Sequence, residues 1–236
     1  MCRSRSANID NANRTAHCMY MSIPKRDKEG LFTYSDYLTW PDDERWELID
    51  GVAYDMSPAP ERRHQGVLAY LASRFVNHFE NEACSVYIAP FDVVLPNSEH
   101  AVKEEESATV VQPDLVVVCD SSKLTTRGCT GAPDFVLEIL SPSTAFKDMD
   151  DKLHLYERHG VREYWILNPA NDTLIVYSVL PAATENTSSS HAPPLPVKYC
   201  KPVLHTSDEV VSPRVFPELS IDLTRVFERD RDRNPE

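Results

Sequence analysis

Two short apolar runs, each opened by Pro-Asp, constrain this chain more than any other feature. They are Gln112-Pro113-Asp114-Leu115-Val116-Val117-Val118 and Pro133-Asp134-Phe135-Val136-Leu137-Glu138-Ile139-Leu140-Ser141. Both are rich in β-branched residues and bounded by polar turn residues, the pattern of a buried strand. Asp114 begins the first strand and Glu138 lies near the end of the second, among apolar neighbours where an unpaired carboxylate is costly. Two carboxylates held on neighbouring buried strands point to a divalent metal.

The chain has 236 residues, 42% of them hydrophobic, enough for one good-sized core. Lys and Arg number 24 against 37 Asp and Glu, a formal net charge of −13. That balance opposes approach to a polyanion unless basic patches or bound cations intervene. The six cysteines, Cys2, Cys18, Cys84, Cys119, Cys129 and Cys200, form no CxxC pair and no zinc spacing. Cys84 and Cys119 lie in apolar runs and read as small buried hydrophobes, in keeping with a reducing cytoplasm. No apolar run approaches a membrane span and the N-terminus lacks a signal-peptide core, so a soluble cytoplasmic protein is expected.

Residues 1–30 are polar and without periodicity, and read as a disordered extension. Thr33 can cap a short helix bearing Tyr34, Tyr37 and Leu38. Arg45 to Met56 reads as a β-hairpin turning at Asp50-Gly51. Val67, Leu68, Leu71, Phe75, Val76 and Phe79 recur at helical spacing within a helix from Arg63 to Glu82, with His64 at its start. A strand from Val86 to Leu95 follows, then an acidic solvated loop containing Glu104-Glu105-Glu106.

After the two organising strands, Phe146 to His159 reads as a second helix, with Met149, Leu153 and Tyr156 as its apolar stripe and Gly160 as its stop. A hairpin follows, from Glu163-Tyr164-Trp165-Ile166-Leu167-Asn168 through Asn171-Asp172 into Thr173 to Leu180. Tyr156, Tyr164 and Trp165 are expected in the core. Residues 181–197 are rich in Pro, Ser, Thr and Ala and read as a flexible loop. One or two further strands, a short helix and a charged tail over 229–236 complete the chain. The expected class is α+β: a central mixed sheet flanked by helices, with an N-terminal hairpin, in one domain over residues 31–228.

The ordered set Glu47-Leu48-Ile49-Asp50-Gly51, Met56-Ser57-Pro58, His64, Pro113-Asp114, Glu138 to Thr144, Asp148 with Lys152, and Gly160-Val161-Arg162-Glu163-Tyr164-Trp165 resembles the Uma-type family of "putative restriction endonucleases", in the PD-(D/E)XK nuclease superfamily. The resemblance spans about residues 32–228. It implies a restriction-endonuclease-like core and a Mg²⁺ ion, with Mn²⁺ as substitute. Asp114 and Glu138 would be ligands, joined by the Ile139 carbonyl, since Mg²⁺ takes oxygen donors and keeps several waters.

The resemblance also implies a lysine two residues after Glu138, but Leu140 stands there. It moves that cation to Lys152 on the following helix, with Lys147 as the alternative. Asp148 and Lys152 also fit an ordinary i, i+4 helix pair. Glu47 would add an acid to the site, or be a polar hairpin residue. His64 would contact phosphate or a metal-bound water, or be a surface or capping residue.

The implied activity is Mg²⁺-dependent hydrolysis of DNA phosphodiester bonds. The alternative is a catalytically inactive nuclease fold used for binding, favoured by Leu140 and the acidic balance. A third reading is action on RNA or a small phosphodiester. No motif that reads bases is evident. Cleaving both strands of a duplex commonly takes two active sites, which a homodimer would supply, although nothing in the periodicity encodes one.

Overall fold

The computed structural model describes residues 24–25, 31–41, 43–56, 60–96, 103–142, 144–179 and 198–228. The loop at 181–197, the tail at 229–236 and nearly all of the extension over 1–30 lie outside the described residues. Within that extension Pro24–Lys25 forms a strand, β1, where disorder was expected.

The N-terminal half continues with α1 (Tyr34–Tyr37), β2 (Trp46–Ile49), β3 (Val52–Asp55), α2 (Arg62–Phe79), β4 (Ser85–Ile88), β5 (Asp92–Val94), β6 (Val110–Val111) and β7 (Leu115–Val118). The C-terminal half carries β8 (Gly128–Thr130), β9 (Phe135–Ile139), α3 (Lys152–His159), β10 (Glu163–Asn168), β11 (Thr173–Ser178), β12 (Val203–Thr206), β13 (Val210–Val211), β14 (Ile221–Asp222) and α4 (Leu223–Glu228). One sheet runs β1-β3-β2-β6-β5-β8 and the other β12-β11-β10-β9-β7-β4, with β13 and β14 paired separately. Both large sheets are mixed, since β5·β8 and β9·β10 are parallel and the remaining pairs antiparallel.

Local chemistry explains the elements nearest the site. Thr33 caps α1 through a capping box with Asp36. Asp50 and Gly51 both take positive φ, 49° and 77°, the pair a two-residue hairpin turn between β2 and β3 requires. A Cβ at Gly128 would lie 1.8 Å from the Asp92 carbonyl oxygen, so only glycine lets β8 lie this close to β5.

Alternation along the central strands divides their side chains between two cores. Leu115 and Val117 of β7, with Phe135, Leu137 and Ile139 of β9, pack against α2 and α4. Val116, Val118 and Val136 face the other way and pack with Val93, Val111, Leu155 and Tyr156 between the two sheets and α3. Both faces are therefore covered, which is why β7 and β9 read as unbroken apolar runs. A smaller cluster of Tyr34, Leu48, Val94 and Val110 lies under α1.

Four expectations need correction. The strand expected from Val86 to Leu95 is two strands, β4 and β5, in different sheets, with Pro90 between them. Val76, assigned to the apolar stripe of α2, is half exposed. Cys84 and Cys119, read as separate small hydrophobes, are joined in a disulfide between the ends of β4 and β7. The argument for a reducing compartment therefore cannot rest on them. Finally, the stripe expected after Phe146 is inverted. Phe146 is 66% and Met149 43% exposed, while Lys147, Asp148 and Lys152 are buried.

Candidate active site

Strand periodicity places three acids toward the space between the sheets. Glu138 shares its face of β9 with Val136, and Glu47 shares its face of β2 with Ile49; both apolar residues belong to the inter-sheet core. Asp114 immediately precedes β7. The antiparallel register Leu115↔Leu137 sets it across from Glu138 one step on. The Ile139 N–H donates to Asp114 Oδ2 at 2.7 Å, and His64 Nε2 approaches the same oxygen at 3.1 Å. His64 Nδ1 is buried without a hydrogen-bond partner.

Lys152 connects these strands. Its Nζ lies 2.7 Å from Glu138 Oε1, 2.8 Å from Glu47 Oε1 and 3.4 Å from Asp148 Oδ1. Lys147 Nζ donates to Glu47 Oε2 at 2.6 Å, and Glu47 Oε1 also accepts the Gln112 N–H at 3.0 Å. The Tyr156 hydroxyl donates to Glu138 Oε1 at 3.1 Å, and the Tyr164 hydroxyl to the Asp148 carbonyl at 2.9 Å. Glu47, Glu138, Asp148 and Lys152 are each no more than 4% exposed.

The inverted stripe follows from this cluster. A π-helical turn over Lys147–Asp151 precedes α3 and presents Lys147 and Asp148 in phase with Lys152 and Tyr156. Burying an ammonium is costly unless carboxylates meet it. Glu47 and Glu138 already project from the sheets, so the charged side turns inward and Phe146 and Met149 are left outside.

The electrostatics are uneven. Burial alone would raise the Glu47 carboxyl, but the ammonium groups of Lys147 and Lys152 overcome it and hold Glu47 below the usual carboxylate range. Glu138 goes the other way. Burial raises it well above that range, Lys152 offsets this only in part, and Asp148, Asp114 and Glu47 add repulsion. Burial would lower Lys152, yet Glu138, Glu47 and Asp148 outweigh it and keep the ammonium charged.

All five residues singled out as catalytic in the sequence are thus drawn into one neighbourhood. Glu47, Glu138 and Lys152 are in direct contact, and Asp114 with His64 is linked to them through the Ile139 amide. The i, i+4 contact of Asp148 with Lys152 exists, but it is the longest of the three that Lys152 makes. The sequence reading missed the hydroxyl bond from Tyr156, taken only as core, and the binding of Glu47 by the Gln112 amide. The spacing of four between Lys152 and Tyr156 was the available signal for the former. Asp134, left out of the site, accepts the Cys119 N–H at 2.9 Å and is structural. Arg158 pairs with Asp50, and Arg162 lies 3.6 Å from Asp134.

The donor set fits a divalent ion in kind. Asp114 and Glu138 are hard oxygen donors, and a bound Mg²⁺ would offset the burial and the acidic neighbours that disfavour the charged form of Glu138. Among the described residues no three His, Cys, Asp or Glu side chains form a ready metal cluster. Asp114, Glu138 and the Ile139 carbonyl would therefore need water or substrate oxygen to complete the shell, as Mg²⁺ commonly does.

Residues 34–224 match the Uma2 family, described as "Putative restriction endonuclease". Over 154 residues the chain is 26% identical to an uncharacterized protein, slr1290, of Synechocystis sp. (strain ATCC 27184 / PCC 6803 / Kazusa), covering 64% of this chain and 73% of that one. The fold of this chain is similar to the crystal structure of a putative nuclease belonging to DUF820 from Anabaena variabilis ATCC 29413. That likeness has a TM-score of 0.62 and 17% identity, and covers 84% of this chain and 98% of the other. The family match takes in every strand from β2 to β14 and every residue of the buried cluster: the chain belongs to the Uma2 family.

Proposed function

We propose that this chain is a Mg²⁺-dependent endonuclease that hydrolyses phosphodiester bonds in DNA, with residues 31–228 acting as one nuclease domain. The observation that carries the reading is the convergence of Glu47, Asp114, Glu138 and Lys152, from β2, the start of β7, β9 and α3, on one buried cluster. Asp114, Glu138 and the Ile139 carbonyl would hold the ion, for which Mn²⁺ would substitute. When bound, it would polarise the phosphate and make an attacking water easier to deprotonate. Water oxygen forms the new bond to phosphorus, the P–O ester bond breaks, and the leaving oxygen takes up a proton.

The protein's own groups have separable roles. Lys152 orients the water and offsets charge developing on the phosphate. Glu47 keeps Lys152 charged and holds both Lys152 and Lys147 in place. His64 fixes one oxygen of Asp114 and would contact phosphate or a bound water.

One observation favours the inactive binding module. An ammonium has three donors, and Lys152, itself buried, already meets Glu138 and Glu47 at 2.7 and 2.8 Å, with Asp148 Oδ1 at 3.4 Å left without a hydrogen bond. In the nuclease reading, metal binding to Glu138 frees one of those donors. Calorimetric titration of Mn²⁺ into the wild type and Glu138→Gln decides between the two, because Mn²⁺ accepts similar oxygen ligands and usually binds more tightly. Saturable binding lost in the variant, with Mg²⁺-dependent cleavage of plasmid DNA by the wild type, is expected. No cleavage with DNA, RNA or a small phosphodiester would leave the binding module.

A further inference from the structure

Asp114 is held from two directions. Its carboxylate takes the Ile139 N–H and the His64 ring, while its backbone carbonyl accepts the Ala89 N–H at 3.2 Å. Ala89 directly follows β4, so an edge strand of the second sheet ends on the main chain of a candidate ligand.

The antiparallel register between β4 and β7 runs from Ser85↔Val118 to Ile88↔Leu115. One step beyond the first pair lies the Cys84–Cys119 disulfide, and one step beyond the last lie Ala89 and Asp114. The ladder is therefore closed covalently at one end and reaches the candidate site at the other. Cys84 also follows closely on the end of α2, the helix that carries His64 near its start.

The two sides of the bond are unequally supported. β7 lies between β9 and β4 and is buried throughout, and Asp134 accepts the Cys119 N–H at 2.9 Å. Among the described residues β4 pairs with β7 alone, and none of its residues is fully buried. A short edge strand with little burial belongs to the low-stability end of a fold. Both cysteines are only half buried, so a small thiol can reach the bond.

We propose that Cys84–Cys119 is a thiol–disulfide switch: oxidised, it keeps β4 on β7 and Asp114 in place; reduced, it lets β4 open and loosens Asp114. The consequence for metal binding rests on the nuclease reading, whereas the opening of β4 does not. The reductant is a dithiol. One of its thiolates attacks one sulfur of the bond and forms a mixed disulfide, releasing the other cysteine as a thiolate that takes up a proton. The second thiolate of the dithiol then displaces the remaining cysteine, which is protonated in turn. Two electrons pass to the protein, two thiols form, and the reductant leaves as a cyclic disulfide. Cys119 stays on its supported strand, so Cys84 is the side that moves.

The test follows single amides by NMR hydrogen exchange in the full chain, oxidised and with excess dithiothreitol, and in Cys84→Ser with Cys119→Ser. On reduction the Ala89 and Ile139 amides are expected to accelerate at least about tenfold more than the amides of β10 in the same sample. Ile139 is read because its N–H reports the hold on the Asp114 carboxylate. The double variant should match the reduced chain and be indifferent to dithiothreitol. In calorimetry without reductant, Mn²⁺ should bind at least about threefold more weakly to the double variant than to the oxidised wild type.

Equal acceleration at Ala89, Ile139 and β10 overturns the switch, since the bond then only stabilises the whole fold. A bond that dithiothreitol leaves intact in the folded chain overturns it as well. Acceleration at Ala89 without Ile139, or equal Mn²⁺ affinity in the two proteins, overturns the link to Asp114. Mn²⁺ bound by neither protein overturns the metal reading of the site, while the two amides still decide the switch.

Discussion

Lys152 Nζ lies 2.7 Å from Glu138 Oε1 across a separation of fourteen residues, closer than the 3.4 Å to Asp148 one helical turn away. The contact joins α3 to β9, and through Glu47 it also joins α3 to β2. In the proposed site Lys152 would take the place of the lysine that the family resemblance implies at position 140. Leu140 itself packs on the inter-sheet core.

Removing this lysine should damage both folding and turnover. Lys152→Met leaves Glu138 and Asp148 buried without their cation, and is expected to cost about 3–5 kcal/mol in denaturant unfolding. Cleavage should fall by at least about 100-fold. The double variant with Glu138→Gln should lose less than the sum of the two single changes, because Glu138 is then no longer a buried carboxylate left without its cation. Strict additivity would show that the two groups are not coupled.

Tyr156→Phe isolates one hydrogen bond. The ring keeps its edge contact with Tyr164, at 4.8 Å, so packing is conserved. Loss of the hydroxyl bond to Glu138 should lower stability by about 1–2 kcal/mol and weaken Mn²⁺ binding measured by calorimetry. Unchanged Mn²⁺ affinity would show that Tyr156 does not position the carboxylate.

His159 should make the fold acid-sensitive. Burial, aided by the Arg158 charge and opposed by Asp50, lowers its pKa to about 4 from the ordinary 6.5, and its Nε2 is buried without a partner. A group depressed in the folded state contributes stability present above its unfolded pKa and lost as pH falls toward the folded one. The window is therefore pH 6.5 down to 4. At pH 5 the loss is on the order of 1–2 kcal/mol. His159→Gln should flatten that part of the stability profile relative to wild type; parallel profiles would rule the effect out.

The disulfide is also open to test. Cys84–Cys119 closes a separation of 35 residues and ties β4, at the edge of its sheet, to β7. Cys84→Ser with Cys119→Ser should lower stability by about 2–4 kcal/mol, and a reducing agent should lower the Tm of the wild type but not of the variant. Equal melting with and without reductant would show that the bond does not form.

What the sequence determined by itself was local or periodic. Asp50-Gly51 dictates a tight turn, the β-branched runs at 115–118 and 135–139 dictate buried strands, and their phase places Glu138 opposite the side chains that meet α2. The ordered motifs around these elements were enough to place the chain in its family. Tertiary structure decided what each charge faces. Lys147, Asp148 and Lys152 carry no apolar signal, so periodicity turned that helix outward; carboxylates from β2 and β9, distant in the chain, turn it inward. The split at Pro90 and the pairing of Cys84 with Cys119 depend in the same way on which strands lie side by side. Such partners are set by long-range register, which local propensity does not encode.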